Sequence, residues 1–170
     1  AWCGQVFGTS SQAAYRAMCS LFIAPASAWV FDGYKDEQPW SRYDGTAAAG
    51  PLRAIRLDVA LNDTPDNGER AWRLRSSPGV RAGLIAVNTH GGADEFNLEP
   101  GRCRPGDIPF LEVPAIVYFV HSYSAKVPGE RMTVAGRWLE RGVYAYLGST
   151  DEPFLNAFVP TPAVMGRLAS

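Results

Sequence analysis

Ala115-Ile116-Val117-Tyr118-Phe119-Val120, followed by His121-Ser122-Tyr123-Ser124-Ala125, is the stretch on which the fold turns. An unbroken run of β-branched and aromatic residues, closed by a polar tip, is the strongest strand signal in the chain. Upstream, Gly83–Val87 is a compact apolar run without alternation, which fits a strand buried on both faces of a parallel sheet. It ends in Asn88-Thr89-His90-Gly91-Gly92. Downstream, Arg131–Arg141 reads as a helix with Val134, Ala135, Trp138 and Leu139 on one face and Gly142 at the C-terminal cap. Val143–Leu147 is a further strand, ending in Gly148-Ser149-Thr150-Asp151. Strand, polar tip, helix, strand, polar tip is the order of an open parallel α/β sheet. Such sheets gather ligands and chemistry at the carboxyl ends of their strands.

The flanks fit the same plan. Ser10 or Ser11 caps a helix through about Phe22, with Ala14, Ala17, Met18, Leu21 and Phe22 at helical spacing and Pro25 beyond it. Ala28–Phe31 is a short strand closed by Asp32-Gly33, and residues 34–44 read as a loop; Asp32-Gly33-Tyr34, at this strand end, fits a place on the common rim and a plain turn equally well. Ile55, Leu57, Val59 and Leu61 alternate, predicting a strand over Ala54–Leu61. A short helix within Asp66–Arg75 carries Trp72, residues 93–114 read as loop, and Pro160–Leu168 as a last short helix. The expected fold is α/β, a three-layer αβα sandwich with a mostly parallel sheet, forming one domain over residues 1–170.

Composition narrows the function classes. The 170 residues carry 16 Lys+Arg against 17 Asp+Glu, and 46% are hydrophobic, which excludes a disordered chain. A net charge of −1 gives no basic surplus for phosphate backbones, so nucleic acid is not an expected partner. The longest apolar stretches, Leu21–Phe31 (broken by Pro25) and Ala115–Val120, fall short of the roughly 20 residues that span a bilayer, so no membrane association is expected. Cys3, Cys19 and Cys103 show no paired spacing, and the two histidines stand far from them. Neither a disulfide framework nor a metal site is expected, no cofactor is implied, and a reducing, cytoplasmic setting is the simpler reading. The first residue is Ala1, which fits a trimmed chain or a piece of a longer one.

The tips hold the candidate chemistry. His90 at a strand end is a general-base candidate, and Gly91 and Gly92 would let backbone approach a bound group. Ser122 or Ser124 is a nucleophile candidate, but Val120 and Ser124 stand where a strained G-x-S-x-G elbow needs glycine. His121, Tyr123, Asp151 and Glu152 complete the candidate binding set. Cys103 lies between Arg102 and Arg104, whose charges would lower a thiol pKa. Phe154, Phe158 and Val159 are candidates for docking on the sheet rim or on a partner. Trp2, Trp29, Trp72 and Trp138 read as core or interface anchors. Arg70, Arg73, Arg75 and Arg81, interleaved with Asp63, Asp66 and Glu69, read as a mixed solvated face.

Residues from about 83 to 160 resemble the core of the caspase-like cysteine peptidase clan, particularly its gingipain-like and CHAT-type branches. Thr89-His90-Gly91 resembles the catalytic His tip of those families. His121-Ser122-Tyr123-Ser124-Ala125 resembles their nucleophile tip, and the following helix, strand and Gly148-Ser149-Thr150-Asp151-Glu152-Pro153-Phe154 resemble the elements beyond it. The resemblance implies a caspase-like fold, a loop at Asp151 and Glu152 bordering a substrate pocket, and a preference there for a basic ligand. Where the families carry the catalytic Cys, this chain has Tyr123, a phenol of pKa about 10 and no substitute for a thiolate. The expectation is therefore a non-catalytic binding or regulatory module with a protein or peptide partner, the Tyr123 ring filling the old nucleophile space. The alternative is a hydrolase using His90 with Ser122 or Ser124, and backbone amides near Gly91 and Gly92 as oxyanion donors.

Overall fold

Alternate residues of the central strands enter two separate cores, so each strand is apolar along its whole length. In the computed structural model, which describes residues 11–20, 22–34, 37, 39–126, 132–152 and 158–168, the order is α1 (Ser11–Ser20), β1 (Ser27–Asp32), a 3-10 turn (Trp40–Tyr43), α2 (Thr46–Ala54), β2 (Asp58–Asn62), α3 (Glu69–Ser76), β3 (Leu84–Asn88), β4 (His90–Gly91), β5 (Phe96–Asn97), β6 (Arg102–Cys103), a second 3-10 turn (Pro105–Asp107), β7 (Ala115–Val120), α4 (Val134–Glu140), β8 (Val143–Leu147) and α5 (Thr161–Leu168). Five strands form one sheet in the order β2-β1-β3-β7-β8, and every pairing in it is parallel. Trp29, Phe31, Ile85, Val87, Val117 and Phe119 meet Trp72 of α3 and Val134 and Trp138 of α4 on one face. Ala28, Val30, Leu84, Ala86, Tyr118 and Val120 meet Ala48 and Leu52 of α2 and Val164 and Met165 of α5 on the other. Helices on both faces of a parallel sheet make the three-layer sandwich that the uninterrupted apolar runs predict.

The local signals act as their chemistry requires. Thr133 caps α4 by accepting the Gly136 amide at 3.1 Å, and Gly142 takes φ +117° just past the helix end, where a side chain would be strained. Trp29, Trp72 and Trp138 are fully buried, and the Trp29 and Trp72 rings lie 5.0 Å apart. Trp2 lies outside the described residues.

Three expectations change. The strand predicted over Ala54–Leu61 starts at Asp58: α2 runs to Ala54, Arg56 reverses the chain at φ +67°, and Ile55 is exposed. The segment read as loop after Gly92 contains β5, which pairs antiparallel with β4, and β6, which pairs antiparallel with β5. Met18 and Phe22 share the periodicity of α1, yet both face solvent. Among the described residues no helix is long and apolar enough to cross a membrane.

The strand order reverses between β1 and β3, the point where open parallel sheets leave a crevice beyond their carboxyl ends. Asp32 and Asn88, the last residues of the two strands, are register partners there. Asp32 is fully buried; its carboxylate accepts from the Asn88 side-chain amide at 2.8 Å and from the Gly45 backbone amide at the start of α2. Asp32→Ala leaves both donors buried without that acceptor, and is expected to lower unfolding stability by roughly 2–4 kcal/mol. Urea denaturation at neutral pH measures it, and an unchanged midpoint would contradict the anchoring role.

Candidate functional site

A cavity of about 250 Å³ opens at that crevice, and each polar tip contributes to its wall. Asn88, Thr89 and His90 come from the end of β3 and the start of β4, His121 and Ser122 from the end of β7, and Glu152 from the loop after β8. Tyr34 and Trp40, beyond β1, supply an aromatic side; the Tyr34 ring lies 4.5 Å from the His90 ring and 5.9 Å from the Trp40 ring. Phe158 also lines the cavity, and the Tyr43 hydroxyl donates to its carbonyl at 3.3 Å, so this part of the C-terminal segment docks on the rim. Val159 stays half-exposed, and Phe154 lies outside the described residues.

The loop carrying Glu152 is stitched to the turn after β7. The Tyr123 amide donates to the Asp151 carbonyl at 3.1 Å, the Ala125 amide to the Ser149 carbonyl at 2.7 Å, and the Tyr146 hydroxyl to the Ser124 carbonyl at 2.8 Å. These bonds bring Ser122 and Glu152 together. The Ser122 hydroxyl donates to Glu152 Oε1 at 2.6 Å, a charge-assisted bond. A serine has one proton to give, and here it points at a carboxylate and not at His90.

Ser124 has a different role from that of an attacking group. It is fully buried, donates to the Phe119 carbonyl at 3.0 Å and accepts the Ser149 amide at 3.0 Å, so it ties the turn to the strand. The Tyr123 ring does not fill the cavity, which it does not line; it lies 5.3 Å from the Lys126 ammonium, with its backbone at φ +58° in the tight turn. The Asp151 carboxylate accepts the Glu152 amide at 2.9 Å and so shapes the loop.

The glycines also serve the fold first. The Gly92 amide donates to the Glu95 carbonyl at 3.1 Å, which takes it away from an oxyanion role. At Gly91 a Cβ would stand 2.5 Å from the Glu95 carbonyl oxygen and 2.8 Å from His121 Nδ1, so glycine is required by internal packing. Cys103 is buried, and its thiol is pushed up to about 12 by that burial, then by the carboxylates of Asp107 and Glu69. Arg102, expected to lower it, turns instead to Asn97 and Glu95. An inert thiol replaces the activated one that the flanking arginines suggested.

His121 is one of three buried polar side chains in the lining, with Asn88 and Thr89. It is 4% exposed, and neither ring nitrogen has a hydrogen-bond partner. Burial, reinforced by the neighbouring His90, lowers its pKa from 6.5 to about 3, so it is neutral at physiological pH. Among the described residues no three His, Cys, Asp or Glu side chains converge to hold a metal ion. Asn88 and Trp40 line the cavity although the motifs did not single them out as site residues, and of the two readings of Asp32-Gly33-Tyr34 the rim holds for Tyr34, which lines the cavity.

No family model matches the chain, and neither a curated protein nor a solved structure gives a significant match.

Two measurements follow from this geometry. Below the unfolded pKa of 6.5 and above the folded value of about 3, the unfolded chain binds a proton at His121 that the native state does not. Native stability therefore falls as pH drops through that window, by about 1.4 kcal/mol per unit from this group. Melting curves from pH 7 to pH 4 are expected to fall less steeply for His121→Phe, and parallel curves would contradict the assignment. Iodoacetamide at pH 8, with peptide mapping, is expected to leave Cys103 unmodified in the folded protein and to label it in urea. Native-state labelling of Cys103 would contradict its burial.

Proposed function

We propose that this chain is a caspase-like domain without the cysteine nucleophile, and that its rim cavity binds a segment of a peptide or protein partner in a reducing, cytoplasmic setting. The observation that carries the reading is the pairing of the candidate hydroxyls: Ser122, on the cavity wall, is engaged by Glu152, and Ser124, buried and not part of the lining, by backbone. Free thiols at Cys19 and Cys103 are compatible with the setting. The Glu152 carboxylate with the Tyr34 and Trp40 faces suits a basic side chain, since cations are held by carboxylates and by aromatic rings. The uncharged His121 adds no repulsion to such a ligand.

The hydrolase reading keeps one support: His90 and Ser122 line the same cavity. It requires Ser122 to leave Glu152 and turn its proton to His90, which acts as base.

Fluorophosphonate labelling with peptide mapping separates the two. The binding reading expects no adduct on Ser122. An adduct that forms on the native protein and disappears in His90→Ala would replace it with the hydrolase. In an NMR titration, N-acetyl-lysine amide is expected to shift resonances of His90, Ser122 and Tyr34, with affinity about tenfold weaker in Glu152→Gln. The absence of shifts at those residues would count against the basic ligand.

A further inference from the structure

Away from the strand ends, the surface between the first loop and α3 carries three shallow depressions of about 580, 640 and 690 Å³. All three share Pro100, and the first also shares Tyr34 with the rim cavity. Together they mark a track from the site, past Pro65 and Pro100, onto the outer face of α3. Its floor is fixed: the Glu69 amide donates to the Pro100 carbonyl at 2.8 Å, and the Glu69 carboxylate accepts the Arg102 amide at 3.1 Å. Gly68 and Gly101 let these segments close up, since a Cβ at Gly101 would stand 2.3 Å from Glu69 Cβ. A track held this way needs little ordering before a chain lies in it.

The charge along it changes sign. Near Tyr34 the wall carries the carboxylates of Glu37 and Glu99. At the far end stand Arg70 and Leu74. Arg73, one turn on, is already paired with Glu69 at 2.9 Å and Asp107 at 3.3 Å, whereas Arg70 is exposed and makes no ion pair among the described residues. Leu74 is 68% exposed beside it. An aliphatic side chain next to an unengaged guanidinium, at the end of a track that starts acidic, is complementary to a segment with the opposite order.

We infer that this track is a docking groove for an extended segment of a partner polypeptide, with basic residues toward Tyr34 and Glu99 and an apolar residue flanked by acids toward Leu74 and Arg70. The inference rests on the peptide-binding reading of the rim and extends it to a second contact on α3. Exposed charges contribute orientation more than affinity, so Leu74 is the main anchor and the charges set the direction.

The probe is a fluorescein-labelled 12-residue peptide with two lysines at one end and Glu-Leu-Glu at the other, made in both chain directions. Fluorescence anisotropy compares it with N-acetyl-lysine amide, which reaches the rim alone. One of the two directions is expected to bind at least about tenfold more tightly than the short ligand, because a second contact held by the same chain adds to the first. Leu74→Asp is expected to remove that gain and Arg70→Glu to narrow the difference between the two chain directions, both at exposed positions, with the short ligand unaffected and circular dichroism unchanged. Glu99→Lys is expected to weaken the long peptide and to leave the short ligand at the rim unaffected. A long peptide that binds no better than the short one overturns the groove and leaves the rim reading standing. Long-peptide binding that depends on Leu74, without any binding of the short ligand, supports the groove and removes the rim. Failure of both removes both. Sedimentation that shows a dimer lost in Leu74→Asp would assign the surface to a second copy of the chain and overturn the peptide groove.

Discussion

A carboxylate with no solvent access must be held by donors, and Asp32 meets that demand at the one place where the sheet changes direction. Its oxygens take the Asn88 side-chain amide and the Gly45 amide, locking the ends of β1 and β3 together and seating the start of α2 over them. The two segments stay in contact beyond Asp32, the Gly33 amide donating to the Asn88 carbonyl at 2.9 Å. Two residues past Asp32 comes Tyr34, and two past Asn88 comes His90, and their rings meet at 4.5 Å on the cavity wall. Asn88, one member of the buried pair, lines the cavity itself, and a side chain larger than glycine at position 45 would press on Val30. Loss of this one electrostatic constraint would loosen a strand end, a helix start and two walls of the cavity at once.

What was legible in the sequence follows from the same physics. Strands buried on both faces must be apolar throughout, so Leu84–Val87 and Ala115–Val120 announce themselves, and their polar ends mark the rim. Helix α4 carries its own punctuation in Thr133 and Gly142. Helix α2 does not: Gly50 and Pro51 lie inside it, and its stability comes from burial of Ala48, Ala49 and Leu52 under the sheet, which no local pattern reports. The two-residue strands β4, β5 and β6 exist only through their mutual pairing. Cys103 shows the limit most directly. The arginines beside it in sequence do not set its environment; burial and the carboxylates of Asp107 and Glu69 do.

The site residues divide along the same line. That residues near 90, 122 and 152 converge could be read from strand order alone, since parallel strands send their ends one way. Which atom each would touch could not, because hydrogen bonds between distant loops decide it. Ser122 and Ser124 are two positions apart with the same functional group, yet one donates to Glu152 on the cavity wall and the other is sealed between Phe119 and Ser149.

This assignment of hydroxyl protons constrains the chemistry more than the presence of a histidine does. A serine becomes a nucleophile when an imidazole takes its proton as the new bond forms, and that needs the proton to point at the imidazole. Here the turn after β7 and the loop after β8 are joined by backbone bonds that fix Ser122 beside Glu152. Rotating the hydroxyl toward His90 breaks a charge-assisted bond and leaves the carboxylate to find another donor. A cationic ligand supplies that donor without disturbing the loop, since Glu152 can accept from an ammonium and from Ser122 together. The neutral, enclosed His121 beneath makes no opposing claim. On the proposed binding reading, positive charge is received at the mouth of the cavity, and the serine that sequence position offers as an attacker holds the Glu152 carboxylate in place.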